Sequence, residues 1–278
     1  INMNNKVSLE ILKNFPSIQM GYEMAVLSLN GKNSFELFPS KFTDGTDSIP
    51  INGLIWMGEI DFMKAQIKQK IDEGFDCLKL KIGALPFEKE LELLSEIRNE
   101  FSKDEMIIRV DANGGFSPDD LMDKLNKLAN LDIHSIEQPI KANQRKRMSS
   151  ICSKTPVPIA LDEELIGVFD PLDRESLLDQ VSPQYIILKP SLLGGFKSCE
   201  HWIELAEQRS IGWWVTSALE SNIGLNAIAQ WTYQLGITSH QGLKGLTFFL
   251  DSHFIYRGSP TYTKITNTVS TTTFFCLC

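Results

Sequence analysis

From about residue 50 the chain alternates between short, mostly apolar runs and amphipathic stretches of helical period, one pair every 25 to 30 residues. INGLIWMG (51–58) suits a strand buried on both faces. The stretch 59–73 places Phe62, Ile67 and Ile71 near helical spacing among lysines and glutamines, with Gly74 suited to its C-terminal end. FDCLKLKI (75–82) predicts the second strand, and Phe87, Leu91, Leu94, Ile97 and Phe101 give 87–101 a helical stripe for burial. MIIRVDAN (106–113) is the third strand, after which Ser117 is placed to cap a helix with Pro118 at its first position. The pattern continues through IHSIEQP (133–139), PIALDEE (158–164), QYIILKP (184–190), GWWVTS (212–217) and a short eighth strand near HQGL (240–243). Helices are expected at about 195–209 and 222–235.

Eight strands and seven intervening helices over roughly 200 residues predict an α/β fold, a (β/α)7β TIM-like barrel near the low end of the usual size. Residues 50–250 would form this barrel domain. Residues 1–49 fall outside the period and read as one or two helices, too little to fold alone. The threonine-rich tail 251–278 is aperiodic, and disorder is one reading of it.

Five of the strand-like segments end on a charged residue, in the order Lys81, Asp111, Glu137, Asp162, Lys189. A barrel would gather these at its C-terminal rim, the face where such folds place their chemistry. Three carboxylates supply the hard oxygens that Mg²⁺ takes at about 2.1 Å, leaving other positions for water and substrate. Acidic residues also favour strand-to-helix loops because they cap helices, and any one of the three alone reads equally well that way. Three in succession between two lysines favour the metal.

Lys79 and Lys81 are two apart on one strand and so share a face, about 6.6 Å apart along it. At an effective dielectric near 20, two ammonium groups at that distance repel by about 2.5 kcal/mol, which would let Lys81 titrate below its usual range and act as a base. Apolar Cys77, Leu78, Leu80 and Ile82 make the strand a buried one, which leaves the rim as the wet place for both ammonium groups. Lys189 precedes Pro190, and Gly194 and Gly195 open a loop where backbone can approach a ligand. A salt bridge from Lys189 to Asp162 or Glu163 is the alternative reading. Together the parts suit removal of a proton α to a carboxylate, with a divalent ion stabilising the enediolate and a lysine taking the proton.

Composition narrows the partners. The net charge of −8 argues against nucleic acid and anionic membranes, no apolar run approaches the ~20 residues of a membrane span, and no signal segment opens the chain. A cytoplasmic enzyme with a small carboxylate substrate is the expectation, its oligomeric state open. The five cysteines (Cys77, Cys152, Cys199, Cys276, Cys278) lack framework spacing and read as reduced thiols. The four histidines have no zinc-protease spacing, and there is neither a G-x-G-x-x-G nor a Walker sequence.

The set K-L-K (79–81), R-V-D-A-N (109–113), I-E-Q-P (136–139), L-D-E-E (161–164) and L-K-P-S (188–191) resembles the muconate-lactonizing-enzyme subgroup of the enolase superfamily. INGLIWMG and SALESNIGLNAIAQW (217–231) look more narrowly like its o-succinylbenzoate synthase branch, a likeness covering about residues 15–245. The resemblance implies Mg²⁺, with Mn²⁺ as an alternative, on Asp111, Glu137 and Asp162, and Lys81 as acid and base. It implies Lys79 beside the substrate carboxylate and Lys189 on the opposite face, stabilising an anion by a cation–π contact. Asn113, Gly194, Gly195, Ser217 and Ser221 are the candidates for holding substrate. The implied reaction is dehydration of 2-succinyl-6-hydroxy-2,4-cyclohexadiene-1-carboxylate to 2-succinylbenzoate in menaquinone biosynthesis. An N-succinyl-amino-acid racemase or dipeptide epimerase on the same residues is the nearest rival, and a catalytically silent barrel the rival of another class. Relatives carry an N-terminal α+β capping domain, of which residues 1–49 look like a truncated, helical remnant.

Overall fold

The structure, a computed structural model, describes residues 9–31, 34–243 and 264–265. The expectations for the first eight residues and for nearly all of the 251–278 tail lie outside the described residues. Two helices lead, α1 (Leu9–Leu12) and α2 (Pro16–Asn30), the second with proline at its first turn, where a missing N–H costs nothing. The loop after α2 is pinned by Gln230, whose Oε1 accepts from Leu37 N at 2.8 Å and whose Nε2 donates to Phe35 O at 2.8 Å.

Strands and helices then alternate: β1 (Ile49–Pro50), β2 (Gly53–Ile55), α3 (Ile60–Asp72), β3 (Cys77–Lys81), α4 (Phe87–Glu100), β4 (Ile107–Asp111), α5 (Leu121–Ala129), β5 (Ser135–Glu137), α6 (Arg145–Cys152), β6 (Ile159–Leu161), α7 (Pro171–Val181), β7 (Tyr185–Leu188), α8 (Pro190–Leu193), α9 (Gly195–Glu207), β8 (Gly212–Val215), α10 (Asn222–Gln234) and β9 (Lys264–Ile265). β2 to β8 form one parallel sheet in chain order, and β1 pairs antiparallel with β9. Each parallel step needs a crossover long enough for a helix, which is why the repeat is so regular. The sheet curls into part of a barrel.

Its two edges are linked by Gln241 and Gly242. Asn52 N donates to Gln241 O and Gln241 N to Pro50 O, both at 3.0 Å, while Gly242 N donates to Val215 O at 2.8 Å. The expected eighth strand is therefore a pair of bridging residues and not a regular strand. The Gln241 side chain joins in, its Oε1 accepting from Val215 N at 2.7 Å and its Nε2 donating to Ser239 O at 2.8 Å.

Residues one apart on a strand face opposite ways. Leu78, Leu80, Ile108, Val110, Ile136, Ile186 and Leu188 are buried in the main core with Met63, Leu94, Leu125, Leu177 and Trp202 from the helices. A second small apolar group, Ala160, Ile187 and Trp214, lies on the other face of the strands. Two helical expectations shift. The buried line of α3 runs through Met63, Ile67 and Lys70, leaving Phe62 52% exposed, because the phase of the helix turns residue 63 and not 62 to the sheet. The helix after β4 starts at Leu121: Ser117 Oγ accepts from Asp119 N at 3.3 Å, and the serine closes a local turn in place of capping the helix. Among the described residues no helix is long and apolar enough to cross a membrane.

Candidate active site

The parallel register sets the site. Lys81 pairs with Asp111 across β3 and β4, and Asp111 with Glu137 across β4 and β5. Asp162 follows the last residue of β6 and Lys189 the last residue of β7. Lys79 lies one inward position below Lys81, beside Arg109.

These side chains form a row in which lysines and carboxylates alternate as far as Glu137, with Asp162 and then Lys189 beyond it. Lys81 Nζ donates to Asp111 Oδ2 at 2.6 Å and to Asn113 Oδ1 at 2.7 Å. Lys79 Nζ stands 2.9 Å from Asp111 Oδ2 and 2.6 Å from Glu137 Oε2. Lys189 closes the far end in an ion pair with Asp162. Asp111, Glu137 and Asp162 are each at most 2% exposed. The spacing of Lys79 and Lys81 implied two unscreened ammonium groups at a wet rim; instead Lys79 is 7% exposed, and Asp111 Oδ2 stands between the two. A buried ammonium is stable only where carboxylates surround it, and two do.

The electrostatics follow from that packing. Burial disfavours the Lys79 ammonium, yet Glu137 and Asp111 outweigh it and hold its pKa above the usual lysine value. Burial likewise opposes charge on Asp111, but Lys79 and Lys81 keep its carboxyl well below the usual range. Glu137 goes the other way: burial, and then the like charge of Asp111, raise it well above an ordinary glutamate in spite of Lys79. Asp162 adds to the rise. Burial also opposes the Lys189 charge, and Asp162 and Glu137 overcome it and raise the pKa. Among the described residues no group of three or more histidine, cysteine, aspartate and glutamate side chains closes into a metal cage. As placed, the carboxylates are engaged by lysines. Glu137 Oε1, however, is buried without a hydrogen-bond partner.

The other candidates sit farther along the same rim. Gly194 and Gly195 have φ of 98° and 87° at the start of α9, a conformation that favours glycine. A Cβ on Gly195 would collide with Glu23 Oε2, because that carboxylate reaches from α2 to accept from Phe196 N at 2.6 Å. Ser221 caps α10, accepting from Gly224 N at 3.4 Å, and Ser217 N donates to Gly242 O at 3.2 Å.

Three contributors escaped the reading of the sequence, and a fourth, Glu163, has a partner other than the Lys189 considered for it. Gln138, at φ 38°, accepts from Asp162 N and Glu164 N at 3.2 Å each through Oε1, and so ties the end of β5 to the loop that carries Asp162. Glu163 accepts from Asn113 Nδ2 at 2.9 Å. Arg109 lies 4.1 Å from the Trp214 ring and donates to His240 O at 2.9 Å beneath the row. Glu23 caps α9 from a distant helix. Gln138, Glu163 and Arg109 lie inside the quoted motifs, so their types were visible while their partners were not.

A partly curled parallel α/β sheet with lysines and carboxylates at successive strand ends is a fold of the enolase type. Residues 62–265 match the family described as enolase C-terminal domain-like, and the chain belongs to that family. It is similar to the o-succinylbenzoate synthase of Desulfotalea psychrophila, 54% identical over 229 residues, which cover 82% of this chain and 62% of that protein. It is 30% identical over 195 residues to the L-amino acid-D/L-Glu epimerase of Francisella philomiragia, covering 69% of this chain and 53% of the other. The crystal structure of MenC from Desulfotalea psychrophila superposes with a TM-score of 0.79 at 52% identity, covering 86% of this chain and 67% of that one. The chain thus spans between half and two thirds of the length of these relatives.

Proposed function

We propose that this chain carries the catalytic barrel of an o-succinylbenzoate synthase, with Gln241 and Gly242 completing a (β/α)7β barrel. The observation that carries the reading is the 54% identity to a protein of that name. The row Lys81, Asp111, Lys79, Glu137, Asp162, Lys189 supports it.

In this mechanism Lys81, as the free amine, takes the proton α to the ring carboxylate of 2-succinyl-6-hydroxy-2,4-cyclohexadiene-1-carboxylate. The electron pair of the broken C–H bond passes into the carboxylate as an enediolate. The ring C–O bond then breaks, the Lys81 ammonium returns the proton to the departing hydroxyl, and water leaves as the ring becomes aromatic. Lys189, at the other end of the row, faces the developing anion with a fixed positive charge, and Lys79 holds the carboxylate end. The donor set of Asp111, Glu137 and Asp162, all hard oxygens and one of them an orphaned buried atom, fits a Mg²⁺ ion with Mn²⁺ as an alternative. Such an ion would supply positive charge to the substrate carboxylate as the proton leaves. Substrate-binding roles for Gly194, Gly195, Ser217 and Ser221 belong to this proposal, as does a soluble, cytoplasmic setting.

The test is formation of o-succinylbenzoate by the purified chain with Mg²⁺, followed by absorbance; no product at any Mg²⁺ concentration sinks the reading for this chain. A second reading, N-succinyl-amino-acid racemization or dipeptide epimerization, draws on the epimerase relative and on a lysine at each end of the row. It requires both lysines to exchange the substrate α-proton with D₂O, with Lys189→Arg abolishing exchange on one face only. A third, a barrel that binds ligand without turnover, draws on Lys79, Lys81 and Lys189, which hold Asp111, Glu137 and Asp162 in ion pairs. Unfolding shifted upward by Mg²⁺ with neither product nor exchange would favour it.

A further inference from the structure

Lys81 Nζ has two protein acceptors, Asp111 Oδ2 at 2.6 Å and Asn113 Oδ1 at 2.7 Å. The other end of the same amide, Asn113 Nδ2, donates to Glu163 Oε1 at 2.9 Å. Which way an amide points is settled by its partners, and here both partners speak with one voice. An ammonium can only donate and a carboxylate can only accept, so a single orientation of Asn113 satisfies both. The backbone cooperates: Asn113 takes φ 43°, a left-handed conformation asparagine tolerates, and its N–H donates to Asp111 Oδ1 at 3.1 Å. Glu163 is kept there at a cost, since its Oε2 is buried without a partner and it adjoins the like charge of Asp162.

We propose that Asn113 and Glu163 are positioning residues for Lys81: Glu163 fixes the Asn113 amide, and the amide with Asp111 aims the Lys81 amine at the reacting carbon. This reassigns Asn113 from a substrate contact to a group acting through Lys81. An ammonium has three donor directions; two are taken by Asp111 and Asn113, leaving one for a reacting atom. The dehydration chemistry in the claim rests on the function proposed above, but the geometric part does not.

The test uses Glu163→Met, which keeps nearly the same size and removes the acceptor of Asn113 Nδ2, and Asn113→Gly, which tolerates the positive φ. For each, kcat with Mg²⁺, Kd for o-succinylbenzoate by calorimetry, the melting temperature and a crystal structure are measured. Misplacing a reacting group by about 1 Å can cost about 100-fold, so Asn113→Gly should lower kcat about 100-fold and Glu163→Met about tenfold. Kd for the product should stay within roughly twofold, because binding that is equal in ground and transition states is untouched. In the crystal structures Lys81 Nζ should leave its present place by about 1 Å or more. A Kd that weakens in step with kcat would make Asn113 a substrate contact and overturn the proposal, as would an unmoved Lys81 with unchanged kcat. If the unmodified protein makes no o-succinylbenzoate, the dehydration reading fails and the crystal structures decide the geometry alone, a displaced Lys81 supporting the proposal and an unmoved one refuting it. If Asn113→Gly does not fold, Glu163→Met carries the test by itself.

Discussion

Replacing Lys79 by methionine would leave Glu137 and Asp111 in place and remove the ammonium between them. At an effective dielectric near 20, contacts of 2.6 and 2.9 Å are each worth about 6 kcal/mol of direct attraction, most of it offset by desolvation of three buried charges. Breaking a buried pair from one side typically costs about 3–5 kcal/mol. For a domain of this size that corresponds to a fall in Tm of roughly 6–20 °C. Asp111 keeps Lys81 as a partner, so the damage centres on Glu137. Its pKa is already raised above that of an unfolded glutamate, and a raised carboxyl favours folding below the unfolded value of 4.5 and loses that contribution as pH rises through the folded value. Loss of Lys79 raises it further, so the stability gap between Lys79→Met and the unmodified protein should widen as pH rises through the folded value of Glu137. Urea unfolding across that rise in pH without divalent ions measures it. A gap below about 1 kcal/mol, or one that does not change with pH, would refute the claim that Lys79 is the principal counter-charge of Glu137.

Three further outcomes follow from other parts of the molecule. Burial, then Arg109, lower the His134 pKa from 6.5 to about 4, so the stability it contributes is complete above pH 6.5 and lost as pH falls toward 4; His134→Asn should flatten the acid side of the stability profile by up to about 1.4 kcal/mol per pH unit, and an unchanged slope would contradict this. Burial raises the Glu23 carboxyl, whose contribution is therefore present below pH 4.5 and lost above it; Glu23→Gln, which keeps an acceptor for Phe196 N, should melt above the unmodified protein at pH 8 and level with it at pH 4, a lower melting temperature at pH 8 being the contrary result. Gln241→Ala strips Val215 N of its 2.7 Å partner at the junction of the sheet edges and should cost about 1–3 kcal/mol in urea unfolding, where a loss under about 0.5 kcal/mol would deny the bridge its role.

Much of the fold was legible because a parallel sheet forces a helix between successive strands, and that length imprints a repeat on the chain. The β3, β4 and β7 runs stand out because their outward positions, such as Leu78, Leu80, Ile108 and Val110, are uniformly apolar. Strand ends were legible for the same reason: a charged residue closing an apolar run has only the rim to occupy. What stayed hidden was pairing across strands. Register places Asp111 between Lys79 and Lys81, and no spacing within one strand carries that information. The bridging pair Gln241 and Gly242 is too short for a period-2 pattern to develop. Ser117-Pro118 has the composition of a helix start, yet the serine hydroxyl closes a turn with Asp119 N, the competing local bond that serine always offers. Contacts such as Glu23 with Phe196 join residues 173 apart and depend on the packing of α2 against α9, which no local signal encodes.

The central claim is that Lys81 moves the proton in both half-steps, and Lys81→Arg tests it most directly. Arginine keeps the positive charge next to Asp111 but stays protonated far above neutral pH, so it cannot act as a base. Proton transfer by a positioned group contributes about 10²–10⁴-fold, and kcat for o-succinylbenzoate formation should fall by at least that range, as it should for Lys81→Ala. Mg²⁺ affinity of the alanine variant should hold or improve as a nearby positive charge is lost. Near-native turnover by Lys81→Arg would mean that the group at position 81 acts only through its charge, and the proton-transfer role assigned to it would be wrong.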